Sequence, residues 1–189
     1  MSATIRACLV LLLFGLPFSD SWAGEYEDTI KVFSNAGESG NFFDKCYGYA
    51  VFPTIGKGGI GIGGAHGSGK VYENGKYTGD TSMTQVTIGF QLGGQAYSQI
   101  IFFEDKRAFN EFTSGNFEFG AQASAVAITA GASAGASTTG SSAGASGGKN
   151  DATTVGSYSK GMAVFTVAKG GLMYEASIGG QKYNYTPKK

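Results

Sequence analysis

The spacing of apolar residues changes period three times along this chain. Between residues 25 and 46 it is helical: Tyr26, Ile30 and Phe33 fall at i, i+4 and i+7, and Phe42, Phe43 and Cys46 resume the stripe after Gly37–Gly40. Two short helices with a break at Gly37-Glu38-Ser39-Gly40 are expected, with Glu25, Glu27 and Asp28 suiting the positive end of the first dipole. From Tyr49 the period drops to two, and glycines recur every few residues. Tyr49–Pro53, Gly59–Ala65, Lys70–Glu73, Lys76–Tyr77, Thr84–Gln91 and Ala96–Phe103 read as strands. Glu73-Asn74-Gly75-Lys76 is a hairpin turn, because Asn-Gly takes the two positive φ angles of a type I′ turn. Over Asp105–Phe112 the helical period returns, with Asp105 as cap and Phe109 and Phe112 one turn apart. Strands resume over Asn116–Ile128, Val155–Tyr158, Met162–Val167, Leu172–Ile178 and Gln181–Tyr185.

The block Ala50-Val51-Phe52-Pro53 through Lys57-Gly58-Gly59 returns in altered form as Ala163-Val164-Phe165 through Lys169-Gly170-Gly171. Each copy reads as strand, Lys-Gly turn, strand, the grammar of antiparallel hairpins. Glycines inside strands cost backbone entropy, so they are expected where a ring or another backbone packs directly on them. The stretch 120–148 is low in complexity, 23 of its 29 residues being Gly, Ala or Ser, and Ser137–Gly148 has nothing to bury. A flexible loop is expected at about 135–150, and a frayed tail at 186–189. The fold class expected is α+β, mainly antiparallel β, in a barrel-like or strongly curved sheet covered by short N-terminal helices.

The N-terminus changes the picture of location. Arg6, the apolar run Leu9–Phe18 and the small-x-small sequence Ser21-Trp22-Ala23 have the form of a secretory leader. Cleavage after Ala23 would leave one domain over 24–185 and place it in the periplasm or cell envelope. The whole chain balances 14 basic against 14 acidic residues, and the leader removes only Arg6 and Asp20. No overall charge therefore directs it to nucleic acid. Locally, residues 149–189 carry six lysines against Asp151 and Glu175, a basic bias suited to an anionic lipid surface. Only Cys46 survives leader removal, so no internal disulfide is available, and a buried, inert thiol is expected.

No catalytic set emerges, and a binding protein rather than an enzyme is expected. Gly64-Ala65-His66-Gly67-Ser68-Gly69-Lys70 approaches a phosphate-binding loop, but Val71 stands where a hydroxyl is needed and a hairpin follows in place of a helix. Gly59-x-Gly61-x-x-Gly64 fails as a dinucleotide motif for the same reason. His66, the one histidine, has no ligand-spaced companions and reads as an exposed turn residue; no metal or other cofactor is expected. The basic residues beside glycines and at the start of the short helix are the candidates for head-group contact: Lys57, Lys160, Lys169, Lys106 and Arg107.

The blocks Tyr49–Pro53 with Lys57-Gly58-Gly59, Gly89–Tyr97, Ile101-Phe102-Phe103, Ala121–Ala127, Tyr158-Ser159-Lys160-Gly161 and Lys169–Leu172 together resemble the SYLF domain family over about Asp44 to Tyr185. The resemblance implies lipid binding. Eukaryotic SYLF proteins bind phosphoinositides and some bind actin; bacterial relatives carry a leader and are described as secreted or envelope lipid-binding proteins. It supplies no catalytic residues. With a secretory leader and no SH3 or FYVE domain in this sequence, an anionic phospholipid or membrane surface is the expected partner, and actin is not. A structural or adhesive surface protein using the Gly/Ala/Ser tract, and a small outer-membrane β-barrel, stand as the other readings.

Overall fold

The computed structural model describes residues 21–60, 62–88, 94–120, 126–128, 158–169 and 178–189. Helices α1 (Ser21–Asn35) and α2 (Gly37–Phe43) precede four strands, β1 (Gly48–Ile60), β2 (Ile62–Glu73), β3 (Lys76–Ile88) and β4 (Gln95–Phe103). Helix α3 (Lys106–Phe112) follows, then β5 (Phe117–Glu118), β6 (Val126–Ile128), β7 (Met162–Lys169) and β8 (Gln181–Pro187). All eight strands join one sheet in the order β5-β8-β3-β2-β1-β4-β7-β6. Every pairing is antiparallel except the short edge contact of β6 with β7.

The sheet curls into a half-barrel. Its curvature shows in side chains that meet across strands far apart in the order. Gln99 of β4 donates through Nε2 to the Tyr183 hydroxyl of β8 at 2.7 Å, although β1, β2 and β3 lie between those strands. Phe52 of β1 likewise meets Tyr183, ring centroids 5.6 Å apart.

Period-two alternation then gives two cores. The inner face buries Phe52, Ile55, Val71, Met83, Ile101 and Phe103, plugged at one end by Phe109 and Phe112 of α3. The outer face of β1, β4 and β7 buries Val51, Ile100, Phe102 and Phe165 beneath Tyr26 and Phe33 of α1 and Phe42 of α2. Phe42, Phe102 and Phe165 pack with centroids 5.1 to 5.9 Å apart. Such pairs contribute about 0.5–1.5 kcal/mol each beyond their burial.

Strand β1 is longer than its sequence suggests. Pro53, expected to end it, sits in a bulge: three steps from Val51 to Thr54 oppose two from Lys70 to Ser68, and the same extra residue recurs against β4. A bulge tolerates a proline that a regular central strand would not. Ser98 secures it, its hydroxyl donating to Pro53 O at 2.6 Å. The one-residue slip exchanges faces, so Phe52 and Ile55 both point inward. Beyond it, Lys57-Gly58, expected as a turn, continues the strand, pairing with β2 down to Ile60↔Ile62.

The helix break falls at Ala36, in extended conformation, and α2 runs through Gly37–Gly40. Gly40 serves close approach: a Cβ there would lie 2.6 Å from the Ser34 carbonyl oxygen. The expected ring-on-glycine packing is present at Gly69, where a Cβ would lie 2.6 Å from the Phe52 ring. Thr186 and Pro187, expected to fray, pair with Asp80 and Gly79 as the end of β8. The expected leader up to residue 20, the expected loop at about 135–150, and residues 89–91, 121–125, 155–157 and 172–177 of the expected strands lie outside the described residues.

Candidate functional site

The two ends of the sheet differ in chemistry. One, the root, holds the β2–β3 turn, α3 and the start of β7. The other, the tip, holds the β1–β2 connection, the ends of β3 and β7, and the starts of β4 and β8.

At the tip, cross-strand register stacks residues in rows. Ile62 lies in the outermost row, paired with Ile60 and Ile88. Two rows back, about 7 Å at strand spacing, Val86 pairs with Gly64. Ile62 and Val86 are each 71% exposed, the most exposed large hydrophobic side chains described. Gly58 and Gly64 sit opposite one another behind Ile62 and add no side chains to cover them. One row further, about 10 Å from Ile62, Lys57 pairs with Ala65 and Gln95. By parity it shares the inner face with Ile55. The next row crosses seven strands on the outer face, Lys169–Ala96–Gly56–His66–Thr84–Lys182–Glu118. An apolar point is thus followed by a band carrying Lys57, His66, Lys169 and Lys182. Residues 54–68 and 82–99 contain no Asp or Glu.

The band is not bare. Lys169 Nζ donates to Glu25 Oε1 at 3.1 Å and to Thr54 Oγ1 at 2.6 Å, and Thr54 Oγ1 donates to the same carboxylate oxygen at 2.7 Å. These hydrogen bonds, Thr54 first and Lys169 second, hold the Glu25 carboxyl below its ordinary range. Lys182 lies 3.5 Å from Glu118. His66, expected in a turn, is an exposed residue within β2, its Nδ1 3.3 Å from Thr84 Oγ1.

The structure therefore separates the five basic candidates. Lys57 and Lys169 join at the tip, while Lys106, Arg107 and Lys160 stand at the root, about 23 Å away by the seven steps from Ala96 to Phe103. Arg107 pairs with Glu111 at 3.3 Å and Asp105 at 3.8 Å. Its Nη2 also reaches the Lys160 carbonyl oxygen at 3.4 Å. Lys160 itself occupies a tight turn, with φ of 53° followed by 81° at Gly161. These three residues belong to a charge-balanced structural corner. Sequence reading missed Ile62, Val86 and Lys182; the Ile60-Gly-Ile62 alternation was the available signal for the first.

Inside the half-barrel, Gln85, Gln99, Gln181, Tyr97 and Tyr183 form one buried hydrogen-bonded cluster. It carries no formal charge and links β3, β4 and β8. Cys46 donates to the Phe43 carbonyl oxygen at 3.7 Å, and burial pushes its thiol up to about 11, so it is protonated at neutral pH. Among the described residues, no group of three or more His, Cys, Asp or Glu could hold a metal, and no helix is long and apolar enough to cross a membrane.

Residues 84–184, just over half of the chain, match the family described as Ysc84, Las17-binding protein actin regulator. A stretch of 100 residues is 34% identical to Beta cell expansion factor A of Aeromonas veronii, covering 52% of this chain and 38% of that protein. The matched stretch is thus well under half of that relative's length.

Proposed function

We propose that this chain, which belongs to the Ysc84 (SYLF) family of lipid-binding or actin-regulating proteins, is an envelope protein that binds anionic lipid surfaces end-on through the tip of its sheet. The observation that carries this reading is the pairing of two 71%-exposed aliphatic side chains with strand segments, 54–68 and 82–99, that hold no Asp or Glu. Water opposes leaving Ile62 and Val86 exposed, and a bilayer interface accepts such side chains about 5–10 Å deep. At that depth the row containing Lys57 and the row containing His66, Lys169 and Lys182 fall at head-group level. Each lysine near a charged surface contributes on the order of 1 kcal/mol, an attraction that salt weakens. The outer face of β1, β4 and β7, packed under α1 and α2, favours end-on contact over a membrane-spanning barrel.

The test is co-sedimentation with phosphatidylcholine vesicles and with vesicles containing phosphatidylglycerol, at low and high salt. The reading expects binding to the anionic vesicles alone, reduced by salt. Equal binding to both at low salt, or to neither, would reject it.

A further inference from the structure

The lysine best placed on the outer face of the tip is already occupied. Lys169 Nζ, Glu25 Oε1 and Thr54 Oγ1 form a closed triangle with sides of 2.6, 2.7 and 3.1 Å. It joins the first turns of α1 to the bulge of β1 and the end of β7. The pair lies at the surface, the side chains of Lys169 and Glu25 being 38% and 43% exposed. Lys169 with Glu25 in place has no net charge to offer a membrane. A lipid phosphate can replace the carboxylate, since it too accepts hydrogen bonds from an ammonium and a hydroxyl. The replacement is nearly even in hydrogen bonds, so it proceeds only where the surface holds many anions.

We infer that Glu25 is a specificity-determining residue: it competes with lipid phosphate for Lys169 and so sets the anionic density at which the tip binds. The inference rests on the lipid-binding reading above. Displacing Glu25 also releases the start of α1 from β1 and β7, so binding to anionic vesicles should quicken amide exchange in the first turns of α1.

The experiment compares wild type, Glu25→Gln, Glu27→Gln, Lys169→Gln and the Glu25→Gln/Lys169→Gln double variant on vesicles of low and high phosphatidylglycerol content. Glu27 is exposed on the same helix and outside the triangle, so Glu27→Gln makes the same charge change without freeing Lys169. Glu25→Gln should bind about fivefold tighter at low anionic content and depend less steeply on it. Glu27→Gln should stay close to wild type, and Lys169→Gln should erase the gain. An equal gain in Glu27→Gln, or a gain that survives in the double variant, would overturn the inference while leaving lipid binding intact. No binding by any form would reject the lipid reading and this inference with it.

Discussion

The root and the tip of the sheet are built from the same strands and answer opposite demands. At the root, two turns with consecutive positive φ angles, Asn74-Gly75 and Lys160-Gly161, reverse the chain in the fewest residues. Phe103, Phe109 and Phe112 seal the interior there, and cations lie beside carboxylates. At the tip, glycines keep the strands bare, aliphatic side chains meet water, and basic residues outnumber acids. The contrast shows that the fold does not need the tip's apolar residues for its core. Stability and binding should accordingly respond to different mutations.

The largest effect belongs to the root. Phe112 is fully buried against Phe103, Phe117 and Tyr183, with centroids 4.9 to 5.6 Å away. Phe112→Ala should cost about 3–5 kcal/mol in urea unfolding, while vesicle affinity per folded molecule is kept. Next comes the tip: Ile62→Ser with Val86→Ser should leave the unfolding midpoint nearly unchanged and weaken vesicle binding by about 2–3 kcal/mol. Coupled losses of stability and binding in both variants would break the contrast. Charge sharpens it further. Lys57→Glu should reduce binding to anionic vesicles by roughly 2 kcal/mol at low salt, and Lys106→Glu at the root should not. A smaller gain is expected for Lys160→Asn, which suits a φ of 53° and should raise stability by about 0.5 kcal/mol.

The pH response of Glu25 should be smallest. Its carboxyl is held low in the folded state by Thr54 and Lys169, so whatever stability it contributes is present above its ordinary value near 4.5. That contribution is lost only as pH falls through the depressed value. The difference in melting temperature between wild type and Glu25→Gln should therefore be the same at pH 7 and pH 5.5, and should shrink only in more acid solution.

Much of the root was legible in the sequence. Asn74-Gly75 has the angles of its turn, and the Asp105 side chain accepts from the Ala108 N–H at 2.8 Å, as the cap predicts. The stripe of Tyr26, Phe33 and Phe42 covers the sheet as its period requires. The SYLF resemblance and the curved, mainly antiparallel sheet are both upheld. The tip was less legible, because glycine carries two meanings. Lys57-Gly58 looked like a turn, whereas in β1 Gly58 is a strand position opposite Gly64. Pro53 looked like an end because a bulge leaves no separate mark in the sequence. The division of the basic residues between two ends was hidden too, since only strand register places Lys169 in the row of His66 and Lys106 far from it.

The bulge at Pro53 acts as a phase slip in β1. Before it, even-numbered residues face inward; after it, odd-numbered ones do. The two halves of the strand thus follow independent alternation codes joined at one residue. Flattening the bulge with no residue removed, while the root register held, would carry Lys57 to the outer face and turn Gly56 and Gly58 toward the interior. Every side chain in the tip half of β1 would exchange its surroundings, although none had been substituted. The side on which the tip presents its lysine is therefore recorded in the bulge between Val51 and Thr54, more than in the lysine itself.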